Sequence, residues 1–140
     1  MENNIKYKQY VIMPMNPYMS VGKRCSQVCH ASFMALEKQR TRPGLHFDDN
    51  IGEWKRNGMC VIVLQCETPL ELMGISRYLD QWKIPNHLYI DEGITEVSMG
   101  TPTSLATGIL TEDQFWMLEQ LDLFGKKPDA QNIIDDSGNH

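Results

Sequence analysis

Apolar positions along this chain fall into blocks of two periods, one near two residues and one near three and a half. YKQYVIM (7–13) is rich in aromatic and β-branched residues and stops at Pro14, which predicts a strand. NPYMSVG (16–22) reads as a loop running into a helix that starts near Gly22 or Lys23. In that helix Cys25, Val28, Cys29, Ser32 and Leu36 recur at spacings of three and four, predicting one buried face. Residues 39–47 form a loop broken by Pro43 and Gly44. DDNIGEWKRNG (48–58) then reads as a short helix with an Asp cap and Gly58 as its stop. CVIVLQC (60–66) is a nearly continuous apolar run, the pattern of a central strand covered on both faces. Thr68 caps the next helix, with Pro69 at its first position and Glu71 closing a capping box; Leu72, Ile75, Tyr78, Leu79 and Trp82 form its core stripe. IPNHLYID (84–91) leads into a strand ending at Asp91, and SLATGIL (104–110) is another. Thr111 to Gln114 is a second capping box, opening an amphipathic helix through Leu121.

The order, leaving the short helix aside, is therefore strand, helix, strand, helix, strand, strand, helix. Helical crossovers between strands imply partly parallel pairing and helices on both sheet faces. The fold class is α/β: a single domain over residues 1–124, with a mixed, mostly four-stranded sheet in a three-layer α/β/α arrangement. Residues 125–140 lose the apolar period and read as an acidic, mobile tail.

Composition changes this picture little. The 140 residues, 41% apolar, suit one core. No apolar run approaches the ~20 residues needed to span a bilayer, and MENNIKYKQY lacks the apolar stretch of a secretory leader, so a cytoplasmic protein with no membrane partner is expected. The net charge of −5 is unevenly spread. Residues 1–60 carry nine Lys/Arg against five Asp/Glu, a balance of +4, whereas residues 61–140 carry four against thirteen, a balance of −9. A basic face thus survives in the first half.

Three chemistries compete for GKRCSQVCHASF (22–33). A metal site is disfavoured: Cys29 and His30 point about 100° apart on a helix, and the remaining cysteines, Cys60 and Cys66, lie on an apolar strand without ligand-pair spacing. All four cysteines read as small, reduced core residues. A cysteine nucleophile at Cys25 would have Arg24 beside it, yet its place on the apolar stripe predicts burial. His30 reads as a core or supporting residue, and His46, His87 and His140 have no recognisable context. The third chemistry is an anion site at the helix start, where Gly22 admits close approach and Lys23 and Arg24 add charge. Gly-Lys-Arg before a helix is more often a solvated surface. A second cluster, DEGITEVSMGTPTS (91–104), places Asp91 at a strand end, where α/β sheets put functional groups, among Gly93, Thr95, Gly100, Thr101 and Thr103.

Together these two stretches resemble the second type of peptidyl-tRNA hydrolase, the class found in archaea and eukaryotes. That family carries G-K-x-x-x-Q-x-x-H-A at the start of its first helix, matched by Gly22, Lys23, Gln27, His30 and Ala31. Its second signature, D-x-G-x-T followed by G-T-x-T, is matched by Asp91, Gly93, Thr95, Gly100, Thr101 and Thr103. Lys8, Gln9, Val11 and Ile12 match its opening strand. The resemblance covers roughly residues 6–111. It implies hydrolysis of the ester joining a peptide to the 3′ ribose of tRNA, without metal or organic cofactor. Lys23, Asp91, Thr95 and Thr103 would inherit the catalytic positions. Gly22, Arg24, Gln27, Gly93, Gly100 and Thr101 would meet substrate, and His30 would support them. Asp91 would position or deprotonate the attacking water, Lys23 would keep Asp91 ionised and stabilise the oxyanion, and the basic half would meet the tRNA backbone. The chain departs from the family pattern at Val21, where another lysine is usual, at Glu96, where Gln is common, and at Pro102. The contrasting reading is a catalytically silent homologue acting as a binding protein, resting on surface groups such as Phe115 and Trp116. A hydrolase of another acyl ester or amide shares the same site. The sequence leaves open whether a homodimer forms.

Overall fold

The structure, a computed structural model, describes residues 5–42, 47–93 and 96–125. Strand β1 (Tyr7–Pro14) is followed by helices α1 (Val21–Arg40) and α2 (Phe47–Arg56), strand β2 (Val61–Cys66), helix α3 (Pro69–Gln81), strands β3 (Asn86–Ile90) and β4 (Pro102–Thr111), and a 3-10 helix (Glu112–Met117). The sheet order is β2-β1-β4-β3. β1 runs parallel to β2 and antiparallel to β4, and β3 pairs antiparallel with β4. This is the expected single-domain, three-layer α/β arrangement with a mixed four-stranded sheet.

Alternation along β1 sorts the core into two halves. Tyr10 and Ile12 point to one face with Leu64, Leu105 and Leu110, where Leu72 and Leu79 of α3, Met117 at the end of the 3-10 helix and Leu118 after it cover them. Val11 and Ala106 point to the other, against Ala31 and Ala35 of α1. Further along that face Ile109 meets Ile51 and Trp54 of α2. Thr68 Oγ1 accepts the Glu71 N–H at 3.2 Å, while Glu71 Oε1 accepts the Glu67 N–H at 2.6 Å, so the predicted box closes one residue earlier than its usual form. Gly58, at φ 101°, stops α2 as expected. The expected Asp cap of α2 is not at its start: the helix begins at Phe47, which puts Asp48 inside its first turn. The tail from residue 126 lies outside the described residues.

Four expectations are corrected. The buried face of α1 is Gln27, Ala31, Ala35 and Gln39, while Cys25 and Cys29 are exposed. Small alanines let the helix approach the sheet closely, and the face that looked apolar in sequence instead lines an open groove of about 510 Å³ with Met13, Val63 and Phe124. Of the cysteines only Cys66 is buried, and burial pushes its thiol up to about 12. β2 is an edge strand, not a central one; its outer edge is covered by residues 122–124, with Gln65 N–H donating to Asp122 O and Phe124 N–H to Val63 O, both at 2.9 Å. The last helix is a single 3-10 stretch, because from Leu118 the chain turns back to lay Leu123 beside Leu64. In α3, Leu72 and Leu79 are buried as predicted, but Trp82 is exposed.

Buried glutamines on α1 and β1 answer an irregularity in β4. The β1–β4 register shifts between Gln9 and Val11, opposite Thr107 and Gly108. Gln9 Nε2 donates to Thr107 O at 2.9 Å, Tyr10 N–H donates to Thr107 Oγ1, and Gln39 Oε1 accepts the Ile109 N–H at 2.7 Å. A Cβ at Gly108 would collide with Gln39 Oε1 and push that side chain off the Ile109 N–H. Every buried polar group must be paired, and these side chains replace ladder bonds the bulge removes. Gln39→Leu should therefore lower unfolding free energy by about 1–3 kcal/mol, because it strands a buried N–H. Urea titration should show a lower midpoint with unchanged slope; a change under about 0.5 kcal/mol would contradict this account.

Candidate active site

Because α1 lies over β4 and β3, its first turn ends beside the loop that leaves β3. Ser20 caps the helix, its Oγ accepting the Lys23 N–H at 3.3 Å. The Lys23 side chain crosses from that turn to Asp91, where Nζ lies 2.6 Å from Oδ1. Both side chains are almost wholly withdrawn from solvent, at 10% and 5% exposure, so this is a buried ion pair.

The β3–β4 connection holds Asp91 from its own side. Asp91 N–H donates to Thr101 O and Gly100 N–H donates to Asp91 O, both at 2.9 Å, closing the base of the loop. The Thr101 hydroxyl donates to Ser98 O at 2.7 Å. Gly93 N–H donates to Asp91 Oδ2 at 2.6 Å. Gly93 sits at φ 77°, and a Cβ there would fall 2.5 Å from Met99 Cα, so both its conformation and its surroundings demand glycine. Burial alone would raise the Asp91 carboxyl; the hydrogen bonds from Lys23 and Gly93 and the Lys23 charge outweigh it and hold the group below the usual carboxylate range.

Beneath the pair, Thr103 is fully buried and its hydroxyl donates to Gln27 Oε1 at 2.5 Å. Ser104 Oγ donates to the Gln27 carbonyl at 2.8 Å, so two successive β4 residues clasp one residue of α1. Thr103 and Gln27 thus meet each other rather than solvent. Of the other sequence-derived positions, Gly22 is exposed in the first turn, with open space where a Cβ would lie. Arg24 is turned away from Asp91: its Nε donates to Met19 O at 2.7 Å and its guanidinium lies over the Tyr18 and Phe124 rings. His30, expected as a core or supporting residue, is exposed, stacked on Tyr89 with ring centroids 4.9 Å apart and within 3.3 Å of Ser26 Oγ. Thr95 lies outside the described residues. Among the exposed groups on the opposite face, Trp116 packs edge-on against Trp82, while Phe115 is half-buried under the Lys8 ammonium.

Two participants have no role in the sequence-based expectations: Ser20 is not among them, and Glu96 appears only as a departure from the family pattern. Ser20 carries the ordinary signature of a helix cap, three residues before Lys23, and a helix start placed at Gly22 passes over it. Glu96 accepts the Ser20 N–H at 2.7 Å and the Ser20 hydroxyl at 2.6 Å. The helix start read as an open anion site therefore already has a carboxylate of the same chain beside its cap. Among the described residues no three His, Cys, Asp or Glu side chains gather to hold a metal ion, and no helix is long and apolar enough to cross a membrane.

A family model, peptidyl-tRNA hydrolase PTH2, matches residues 7–121. Curated proteins named peptidyl-tRNA hydrolase are similar over most of the chain. That of Methanopyrus kandleri is 32% identical over 110 residues, covering 77% of this chain and 89% of the relative. That of Thermococcus onnurineus is 30% identical over 109 residues, covering 77% and 88%, and that of Thermococcus sibiricus is 33% identical over 103 residues, covering 74% and 84%. The matched span contains the whole sheet, the Lys23–Asp91 pair and the loop that holds it: the chain belongs to the PTH2 family of peptidyl-tRNA hydrolases, enzymes that cleave a carboxylic ester.

Proposed function

We propose that this protein hydrolyses the ester between a peptide, or an N-blocked aminoacyl group, and the 3′ ribose of tRNA, with Asp91 holding the attacking water and Lys23 stabilising the oxyanion. The observation that carries the reading is the buried 2.6 Å contact between Lys23 Nζ and Asp91 Oδ1. Each Asp91 oxygen already accepts one hydrogen bond, from Lys23 or Gly93, and retains a lone pair for a water. Held below the usual carboxylate range, Asp91 is a weak base. Its main work is then to orient the water and stabilise its growing positive charge as it attacks.

Water adds to the ester carbonyl carbon, negative charge develops on the carbonyl oxygen beside the Lys23 ammonium, and the acyl–oxygen bond breaks. The proton given up by the water ends on the departing ribose oxygen, leaving a peptide acid and a free 3′ hydroxyl. By its place in the motif, Thr95 orients the water or the ribose. Thr103, with its hydroxyl committed to Gln27, acts by setting α1 against β4. The basic first half of the chain meets tRNA phosphates independently of sequence.

Single-turnover hydrolysis of N-acetyl-aminoacyl-tRNA tests the reading. Wild type should cleave, and Asp91→Asn, checked for its fold, should lose about 10²-fold or more in rate. Folded wild type that leaves the ester intact would overturn the hydrolase reading in favour of a binding role.

The pH profile of Lys23→Met is a second check. Wild-type activity should persist as pH falls until Asp91 is protonated at its depressed pKa, below the usual carboxylate range. Without the lysine, desolvation acts unopposed by the charge and the Asp91 pKa rises. The acid limb of the residual activity should therefore move to higher pH, with the rate about 10²–10³-fold lower. An unmoved limb would remove Asp91 from the rate law.

A further inference from the structure

Glu96 stands where an acid is electrostatically unwelcome for an enzyme acting on a polyanion, yet both its oxygens are employed. Oε1 accepts the Ser20 N–H at 2.7 Å and Oε2 the Ser20 hydroxyl at 2.6 Å; the same Ser20 oxygen accepts the Lys23 N–H. Three residues along α1, Lys23 Nζ reaches Asp91, five residues before Glu96. Two ties thus hold the start of α1, one from Lys23 to Asp91 and one from Ser20 to Glu96. The hydrogen bonds from Ser20 hold the Glu96 carboxyl below its ordinary range, so the staple is ionised at neutral pH. A carboxylate beside a helix start is also favoured by the helix dipole.

We propose that Glu96 is a positioning residue for the hydrolysis argued above: a carboxylate staple that docks the Asp91 loop on the cap of α1 and thereby sets the Lys23–Asp91 geometry. It touches neither ester nor water. Its counterpart across the staple is Ser20, so the two residues act as one unit. Glutamine at position 96 preserves one acceptor oxygen and offers donors where the second acceptor was, so it keeps the bond from the Ser20 N–H and weakens the one from the hydroxyl. The alternative role, a charge that merely repels tRNA, predicts a lower KM at unchanged kcat for the Glu96 variants and no effect of Ser20→Ala.

The test uses the full chain with Glu96→Ala, Glu96→Gln, Ser20→Ala and the Ser20→Ala/Glu96→Ala double variant, assayed on N-acetyl-aminoacyl-tRNA. Glu96→Ala should lower kcat about tenfold with KM unchanged, as expected when a catalytic group is misplaced by a fraction of an ångström. Glu96→Gln should fall between it and wild type, and the double variant should lose less than the sum of the two singles, since Glu96→Ala removes both bonds of the tie and Ser20→Ala one of them together with the cap on the Lys23 N–H. Amide exchange at Gly93, whose N–H is held by Asp91, should quicken in Glu96→Ala; this readout does not need turnover and stands even if the hydrolase reading fails. If KM falls while kcat holds, the charge-repulsion role is right and the staple is wrong. Additive losses in the double variant, or unchanged Gly93 exchange, would overturn it as well. Should Glu96→Ala not fold, Glu96→Gln carries the same kcat and exchange comparisons.

Discussion

A lysine and an aspartate, both withdrawn from water and 2.6 Å apart, are the constraint around which this fold is organised. Burying either charge alone is costly, and removing one partner of such a pair strands the other at about 3–5 kcal/mol. The two residues lie 68 apart in sequence, on the first turn of α1 and at the end of β3. They meet only if α1 lies across β4 toward β3 at close range. Ala31 and Ala35 supply that closeness by presenting almost no side chain to Val11 and Ala106.

Close packing brings its own demand, because the sheet beneath α1 is irregular. The shift in β1–β4 register leaves backbone groups without ladder partners, and Gln9 and Gln39 satisfy them from strand and helix. Gln27 meets Thr103 and Ser104 nearer the ion pair. The glutamines and alanines on this face therefore form one device, which fixes both the height and the register of α1 over the sheet. The geometry of the Lys23–Asp91 pair inherits its precision from that interface.

This explains what was legible in the sequence. The order of elements, the mixed sheet and the Thr68 cap follow from periodicity and capping chemistry, which are local. The two motif stretches identified the segments that meet in space, and Lys23, Asp91 and Gly93 do come together. The buried face of α1 was misread because Cys25, Val28 and Cys29 look more apolar than Gln27 and Gln39. A glutamine is buried willingly only when its partners exist, and those partners belong to a bulge some 70 to 80 residues away. β2 looked central because its apolar run is contacted on its face and along its edge by residues 122–124, a covering that a seven-residue window does not contain. Glu96 read only as a departure from the family pattern because the residue it bonds, Ser20, lies 76 residues earlier.

The central claim is that water, oriented by an ionised Asp91, attacks the ester directly. A single turnover in H₂¹⁸O, with enzyme in excess over N-acetyl-aminoacyl-tRNA, reads this from the mass of the first product. The account predicts one ¹⁸O in the carboxyl group of the released acid and none in Asp91. An unlabelled first product together with ¹⁸O in Asp91 would mean that the carboxylate itself attacked the acyl group, and would contradict it.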